Sequence, residues 1–365
     1  MTGADARTSA KTNAKTNAKT NEGNYFEDFK VGQVLRHATP RTITQGDVAL
    51  YQALFGSRFV LQSSAETART AGYKSAPVDD MLAFHIVFGK TVPDVSLNAV
   101  ANLGYADCRF LKPVFPGDTL SAESKVIGLK ENSNGETGVV YVRSEGRNQA
   151  GEIVLEYVRW VMVRKRDKAS PAPEEDVPHL PAAVRAEYLC APEGTSFRNF
   201  DTVASGSPHL WDDYGKGERI DHVDGITIEE AEHMMATRLY QNTAKVHFNQ
   251  YTEGKGRFGR RLIYGGHVIS LARALSFNGL GNAVLIAAIN GGRHVAPCFG
   301  GDTVFAWSEI LDKAEVRGRD DLGALRVRTF ATKDKPCGEF PGPQEKGYED
   351  GVILDLDYWV LMPRR

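Results

Sequence analysis

The chain alternates between short helical patterns and long strand patterns, and this order occurs twice. Residues 42–56 (TITQGDVALYQALFG) and 225–241 (GITIEEAEHMMATRLYQ) each place apolar residues at helical spacing behind a threonine that suits an N-cap. Residues 139–166 and 325–365 instead alternate apolar and polar residues with the period of two expected of strands. Each unit is therefore predicted to be a helix followed by antiparallel strands, and the fold class to be α+β.

A repeated motif supports the reading as two copies. Residues 109–119 read RFLKPVFPGDT and residues 293–303 read RHVAPCFGGDT, 184 positions further on. A match of this length at one offset predicts two copies of a single structural unit. We expect G-D-T to form a turn between strands. The second copy carries about 15 extra residues (336–350), rich in glycine, proline and charge, which predicts a loop insertion.

The repeat and the local composition divide the chain into four parts. Residues 1–24 repeat the tetrad A-K-T-N and have few apolar side chains, so we expect a disordered tail. Residues 25–166 form the first unit and residues 195–365 the second. Between them, residues 167–194 begin with a stretch rich in proline and acidic residues, which is typical of a linker.

Composition excludes several classes of function. The net charge of -2 offers no basic surplus for nucleic acid, and no apolar run approaches the roughly 20 residues that span a membrane. The four cysteines are scattered and lie in no metal-ligand spacing, so we expect free thiols in a reducing cytoplasm and no metal. His209, His222 and His233 lie in polar or helical surroundings, so we expect them to be solvated, and His85 to lie in the core.

One histidine is a candidate for acid–base chemistry. His247 lies in QNTAKVHFN (241–249), and 17 residues later Tyr264-Gly265-Gly266-His267 opens an apolar helix. A histidine with a pKa near the reference value of roughly 6.5 suits general acid–base chemistry. Two glycines at a helix start let unsatisfied backbone N–H groups approach a developing oxyanion. The combination marks a candidate acid–base site beside a turn that can bind an oxyanion.

The histidine loop, the Gly-Gly-His turn and P-x-F-x-G-D-T together resemble the MaoC-like, (R)-specific enoyl-CoA hydratases, over residues 25–165 and 195–365. Residues 76–120 and ENSNGETGVVYVRS resemble members that act on a branched, five-carbon dicarboxylic CoA thioester. The resemblance implies a tandem hot-dog fold, in which antiparallel sheets each wrap a central helix. It also implies an acyl-CoA substrate, a homodimer, no nucleic-acid or membrane partner, and no cofactor beyond the CoA of the substrate.

The family's motif, G-D-x-N-P-[LIV]-H, supplies an Asp–His acid/base pair. Here His247 stands at the histidine position, while Asn242 stands where the aspartate is expected. In the first copy the two positions hold Ser57 and Gln62, which do not titrate near neutrality. The resemblance therefore implies a catalytic second copy and a degenerate first copy. It also makes Gly266 the oxyanion donor, with Asp80 as its counterpart in the first copy.

The remaining candidates follow from their position near this motif. Tyr264, Gly265 and His267 are expected to line the substrate, and Arg260 or Arg261 to bind its free carboxylate; Arg58 is another possibility. Asn242 can orient water but cannot accept its proton. The second proton carrier is either that same water or one of three further side chains, Glu229, Glu230 and His267. Two other functions stay open: an acyl-CoA thioesterase of the same fold, and a non-catalytic acyl-CoA-binding protein.

Overall fold

The computed structural model describes residues 19–365. The strands are β1 (Val34–Thr42), β2 (Ala99–Phe110), β3 (Thr119–Glu131), β4 (Thr137–Arg147), β5 (Ile153–Arg164), β6 (Arg219–Thr227), β7 (Leu285–His294), β8 (Thr303–Glu315), β9 (Leu322–Lys333) and β10 (Val352–Pro363). The helices are α1 (Gln45–Phe55), α2 (Val60–Ser63), α3 (Ala65–Thr70), α4 (Asp80–Thr91), α5 (Thr202–Ser205), α6 (Glu230–Leu239), α7 (Lys245–Phe248), α8 (Gln250–Glu253), α9 (Gly265–Leu275) and α10 (Phe277–Leu280).

One antiparallel sheet contains all ten strands, in the order β1-β3-β4-β5-β2-β7-β10-β9-β8-β6. The first five strands and the last five follow the same internal order, read outward from the centre. The two halves join where β2 pairs with β7, with Tyr105 opposite Gly292 and Arg109 opposite Ala288. This arrangement confirms the α+β class and the tandem hot-dog fold.

Helices α4 and α9 are the central helices of the two halves. Nearly every residue of each is buried, because each lies between its half of the sheet and the other half's helix. They meet where the His85 Nε2 atom lies 3.0 Å from the Ser270 hydroxyl. These two positions are 185 apart, as are the helix starts at Asp80 and Gly265. Asp80 is therefore the repeat counterpart of Gly265, whereas the sequence match had paired Asp80 with Gly266.

Another buried contact, between a histidine and a serine, occurs at equivalent positions in the two halves. The His37 Nε2 atom lies 2.7 Å from the Ser124 hydroxyl, and the His222 Nε2 atom lies 2.8 Å from the Ser308 hydroxyl. The expectation that His222 and His233 would be solvated is wrong, since both are 0% exposed. It failed because their neighbours in sequence are polar while the histidines themselves face the interior. His85 lies in the core and His209 at the surface, as expected.

The turns and the insertion predicted from the sequence are present in the fold. Asp118 accepts from the Phe115 N–H at 2.8 Å, and Asp302 accepts from the Phe299 N–H at 2.9 Å, so G-D-T forms the same turn in both copies. The insertion lies between β9 and β10, as the sequence predicted.

The two segments outside the repeat also make defined contacts. Residues 1–18 of the predicted tail lie outside the described residues; further along, the Asn98 amide donates to the carbonyls of Glu22 and Asn24, at 2.9 and 3.2 Å. Within residues 167–194, the Val184 N–H donates to Asn290 at 2.8 Å and its carbonyl accepts from the Trp359 indole at 3.0 Å. The segment is thus held to the second half of the sheet at Val184, and Asp176 pairs with Leu129 of β3 in the first half.

Candidate active site

His247 lies on the short helix α7, directly before the loop that leads to α9. Its Nδ1–H donates to the Leu262 carbonyl at 3.0 Å, which fixes the tautomer and leaves Nε2 unprotonated. Burial lowers the pKa of His247 to about 4, against the opposite effect of the Leu262 carbonyl. The ring is therefore neutral at pH 7 and presents a basic nitrogen.

Asn242 lies five residues earlier and is only 1% exposed. Its Oδ1 atom accepts from the Ala244 N–H at 3.2 Å, which assigns the orientation of the amide. Its Nδ2 group has no hydrogen-bond partner among the described residues. A buried amide donor without a partner costs free energy, so this N–H group is suited to a polar ligand such as water.

The glycine turn lies beside this pair. Tyr264 precedes α9, whose first N–H groups, those of Gly265 and Gly266, have no intrahelical acceptor. A side-chain carbon on Gly265 would overlap the His294 ring, and one on Gly266 would overlap the rings of His85 and Tyr264. Both positions therefore need glycine for packing, in addition to backbone access for an oxyanion.

The Gly266→Ala variant is expected to lower kcat about 10²–10³-fold, because the added methyl group displaces the N–H donor from the oxyanion position. The measurement is steady-state hydration of the enoyl thioester. Gly291→Ala is the matched control: the nearest atom to an added carbon is the Tyr105 carbonyl oxygen, at 3.8 Å. Equal rates in the two variants would contradict a role of this helix start.

A cluster of buried imidazoles surrounds His247. The His233 ring lies 6.3 Å from that of His247 and 5.6 Å from that of His267, and His233 Nε2 accepts from the Tyr264 N–H at 2.9 Å. Burial lowers the pKa of His267 to about 3 and that of His233 to about 2. His233 thus holds Tyr264 in place as a neutral acceptor. The helical spacing of the residues around His233 did not indicate that it would bind Tyr264.

His294 also reaches the site, from the end of β7. Its ring packs against Gly265, and its Nε2 atom lies 3.5 Å from the Tyr105 hydroxyl of the first half. Burial lowers its pKa to about 4. His294 lies in the repeated segment RHVAP, but the first copy has Phe110 at that position, so the repeat gave no signal for it.

The structure brings the expected site residues His247, Tyr264, Gly265, Gly266 and His267 together through His233 and a set of ring contacts. Asn242 is buried five residues before His247, and the two arginines bind other groups of the protein. Arg261 donates to Glu230 at 2.6 Å, and Arg260 donates to the Gly300 carbonyl at 2.6 Å. Glu230 is thereby engaged in an ion pair, and Glu229 is exposed before α6.

The equivalent place in the first copy contains different chemistry. Gln62 donates to the Val284 carbonyl at 3.1 Å, and Ser57 lies 3.4 Å from Asp79. Asp79 caps α4 by accepting from the Met81 N–H, and Asp80 accepts from the Ile286 N–H, both within 2.9 Å. The carboxylates fill the helix N-terminus that would otherwise receive an oxyanion.

Metal-binding clusters and membrane-spanning helices are both absent from the part of the chain that the structure describes. Within residues 19–365, no cluster of three histidine, cysteine or acidic side chains is arranged to hold a metal ion. No helix in that range is long and apolar enough to cross a membrane.

The chain is similar in sequence to a dehydratase and a hydratase of two other bacteria. The β-methylmalyl-CoA dehydratase of Chloroflexus aurantiacus is 65% identical over 344 residues, covering 94% of this chain and 98% of that protein. The mesaconyl-CoA hydratase of Cereibacter sphaeroides is 61% identical over 342 residues, with the same two coverages.

Solved structures agree with this placement. A crystal structure of a MaoC domain protein dehydratase from Chloroflexus aurantiacus superposes with a TM-score of 0.93 at 65% identity, covering 95% of this chain and 99% of that one. A double hot-dog protein of Mycobacterium tuberculosis, 24% identical, shares the fold with a TM-score of 0.75, covering 94% of this chain and 99% of that one. The family model for mesaconyl-CoA hydratase matches residues 2–342, and the chain belongs to the mesaconyl-CoA hydratase family.

Proposed function

We propose that the protein is a hydro-lyase that reversibly adds water to mesaconyl-CoA to give β-methylmalyl-CoA. The observation that carries the proposal is the neutral His247, whose ring lies 5.5 Å from that of Tyr264 at the glycine turn and whose Nε2 atom is free. The unpartnered, buried Asn242 amide lies five residues earlier in the chain. Family membership supports the same reaction. A thioesterase or a pure binding protein would not need this combination.

The reaction requires one proton to leave water and one to reach the substrate. His247 Nε2 takes a proton as the water oxygen attacks Cβ, and the Gly266 N–H stabilises the enolate oxygen that develops on the thioester. The imidazolium then returns a proton to Cα, so the two halves of one water molecule are added and nothing else is consumed. Asn242 donates to the water oxygen and orients it.

The direct test is to add mesaconyl-CoA to the purified protein and to follow the loss of enoyl-thioester absorbance together with the release of free thiol. We expect the absorbance to fall and no thiol to appear. Thiol released at the same rate would identify a thioesterase, and ligand binding without turnover would identify a binding protein.

Three further properties stay predictions. A homodimer follows from the family resemblance and can be tested by light scattering. The absence of a cofactor can be tested by turnover after exhaustive dialysis against chelator. A cytoplasmic location can be tested by cell fractionation.

A further inference from the structure

Arg159 is an arginine in the interior of the first half that pairs with no carboxylate. It lies on β5, is 0% exposed, and makes all its side-chain hydrogen bonds to two hydroxyls: Thr91 at 2.7 Å and Ser96 at 3.4 Å. Its Nε–H has no partner, and within residues 19–365 no acidic side chain forms an ion pair with it. Burying an unpaired charge is costly, so this site favours an anion.

Arg159 lies close to the catalytic cluster although it belongs to the other half. Its guanidinium stacks on the Phe88 ring at 4.3 Å, and the Phe88 ring lies 5.6 Å from that of Tyr264. The Tyr264 ring in turn lies 5.5 Å from that of His247. This proximity arises because the central helices run past each other, so the end of α4 lies beside the start of α9.

The degenerate half contains a buried guanidinium of its own. Arg273, near the end of α9, is buried and stacks on Phe59 at 3.5 Å; at the offset of 185 it corresponds to Phe88 and not to Arg159. The start of α4 carries Asp79 and Asp80. Burial raises the pKa of both carboxyls, and the charge of Arg273 opposes that rise. This guanidinium is thus close enough to act electrostatically on two carboxylates of the chain itself.

The catalytic half lacks those carboxylates. At an offset of 185, Tyr264 and Gly265 stand where the degenerate half has Asp79 and Asp80. The start of α9 therefore offers a guanidinium nearby and no anion from the protein. A five-carbon dicarboxylic thioester brings one carboxylate that is not part of the thioester, whereas a plain enoyl-CoA brings none.

We propose that Arg159 binds the free carboxylate of the substrate and selects dicarboxylic over plain enoyl thioesters. The first half then contributes a specificity residue to a site whose acid–base chemistry lies in the second half. The proposal rests on the proposed hydration of mesaconyl-CoA. Arg260 and Arg261, which neighbour the glycine turn in sequence, are bound to other groups and are not needed for this role.

The test compares two substrates on one folded variant. The probes are mesaconyl-CoA and the matching methylbutenoyl-CoA, in which a methyl group replaces the free carboxylate. For Arg159→Met we expect kcat/KM for mesaconyl-CoA to fall roughly 10²–10³-fold, as expected when one partner of a buried charge pair is truncated, and kcat/KM for methylbutenoyl-CoA to change less than about threefold. The ratio of the two values does not depend on how much of the sample is folded.

Arg273→Met is the matched control, because Arg273 is also a buried guanidinium and its charge acts on the carboxyls of the degenerate site. It is expected to leave the ratio unchanged. Equal losses on both substrates in Arg159→Met, or an equal change of ratio in Arg273→Met, would overturn the role of Arg159. If Arg159→Met does not fold, Arg159→Gln carries the same readout.

The wild-type protein separates this inference from the function on which it rests. Turnover of mesaconyl-CoA by the wild type, with both substrates equally impaired in the variant, rejects Arg159 and leaves the hydratase standing. Wild-type turnover of methylbutenoyl-CoA but not of mesaconyl-CoA rejects the proposed substrate itself.

Discussion

The His247→Gln variant is expected to hydrate mesaconyl-CoA about 10²–10⁴-fold more slowly than the wild type, measured as kcat, because glutamine cannot take a proton from water. Glutamine is the residue that the degenerate copy has at the equivalent position, Gln62, so the variant gives both copies the same side chain. The loss should fall on kcat more than on KM, since His247 acts on the water and not on the CoA moiety.

His209→Gln is the control for this variant, because His209 is exposed and lies outside the catalytic cluster. Its kcat should stay within about twofold of the wild type. A His247→Gln enzyme with near wild-type kcat would remove His247 as the base and would direct attention to His294 or His267.

Acidification from pH 7.5 to pH 5 is expected to lower the free energy of unfolding by several kcal/mol. Burial lowers the pKa of six histidines: His85 and His267 to about 3, His222, His247 and His294 to about 4, and His233 to about 2. In the unfolded chain each has a pKa near 6.5, so below that pH the unfolded state binds more protons and stability falls. At pH 5 each contributes a loss of about 2 kcal/mol.

Asp80 acts in the opposite direction. Burial raises its pKa to about 7, so between pH 7 and pH 4 the folded state binds the extra proton and stability rises as the pH falls, by about 3 kcal/mol at pH 5. Asp79 changes stability in the same sense. The net loss, roughly 9 kcal/mol or less, is comparable to the whole stability of a typical domain.

Urea unfolding at several pH values between 5 and 7.5 measures this dependence. His222→Gln should reduce its slope by about 1.4 kcal/mol per pH unit between pH 5 and 6, since one proton fewer is taken up on unfolding. A free energy of unfolding that stays constant from pH 7.5 to pH 5 would contradict the prediction.

The repeat made most of the fold predictable. Because P-x-F-x-G-D-T recurs at one offset, the two halves could be expected to share one structure, and the family motif matched His247 to Gln62. The pairing of β2 with β7 was not predictable, since strand-edge contacts between copies leave no local pattern.

The sequence pointed to candidate site residues that lie close together in the chain, and not to residues that come from the other half. Asn242 and His247 share one motif, and Gly266 follows a short way along the chain, so sequence distance was informative for them. His85 contacts Tyr264 from the other half and is not near it in sequence. The arginines beside the glycine turn were selected by sequence proximity alone, and their side chains bind Glu230 and the Gly300 carbonyl instead.

The shared sheet has a consequence for how such a site could arise. In a dimer of identical hot-dog chains, every substitution occurs on both sides of the two-fold axis, so a gain at one site is also imposed on its twin. Encoding both copies in one chain removes that constraint, so each position can change alone while the β2–β7 pairing keeps the halves in one sheet. An asymmetric substrate, with a thioester at one end and an acid at the other, can thereby be matched by an asymmetric pair of halves.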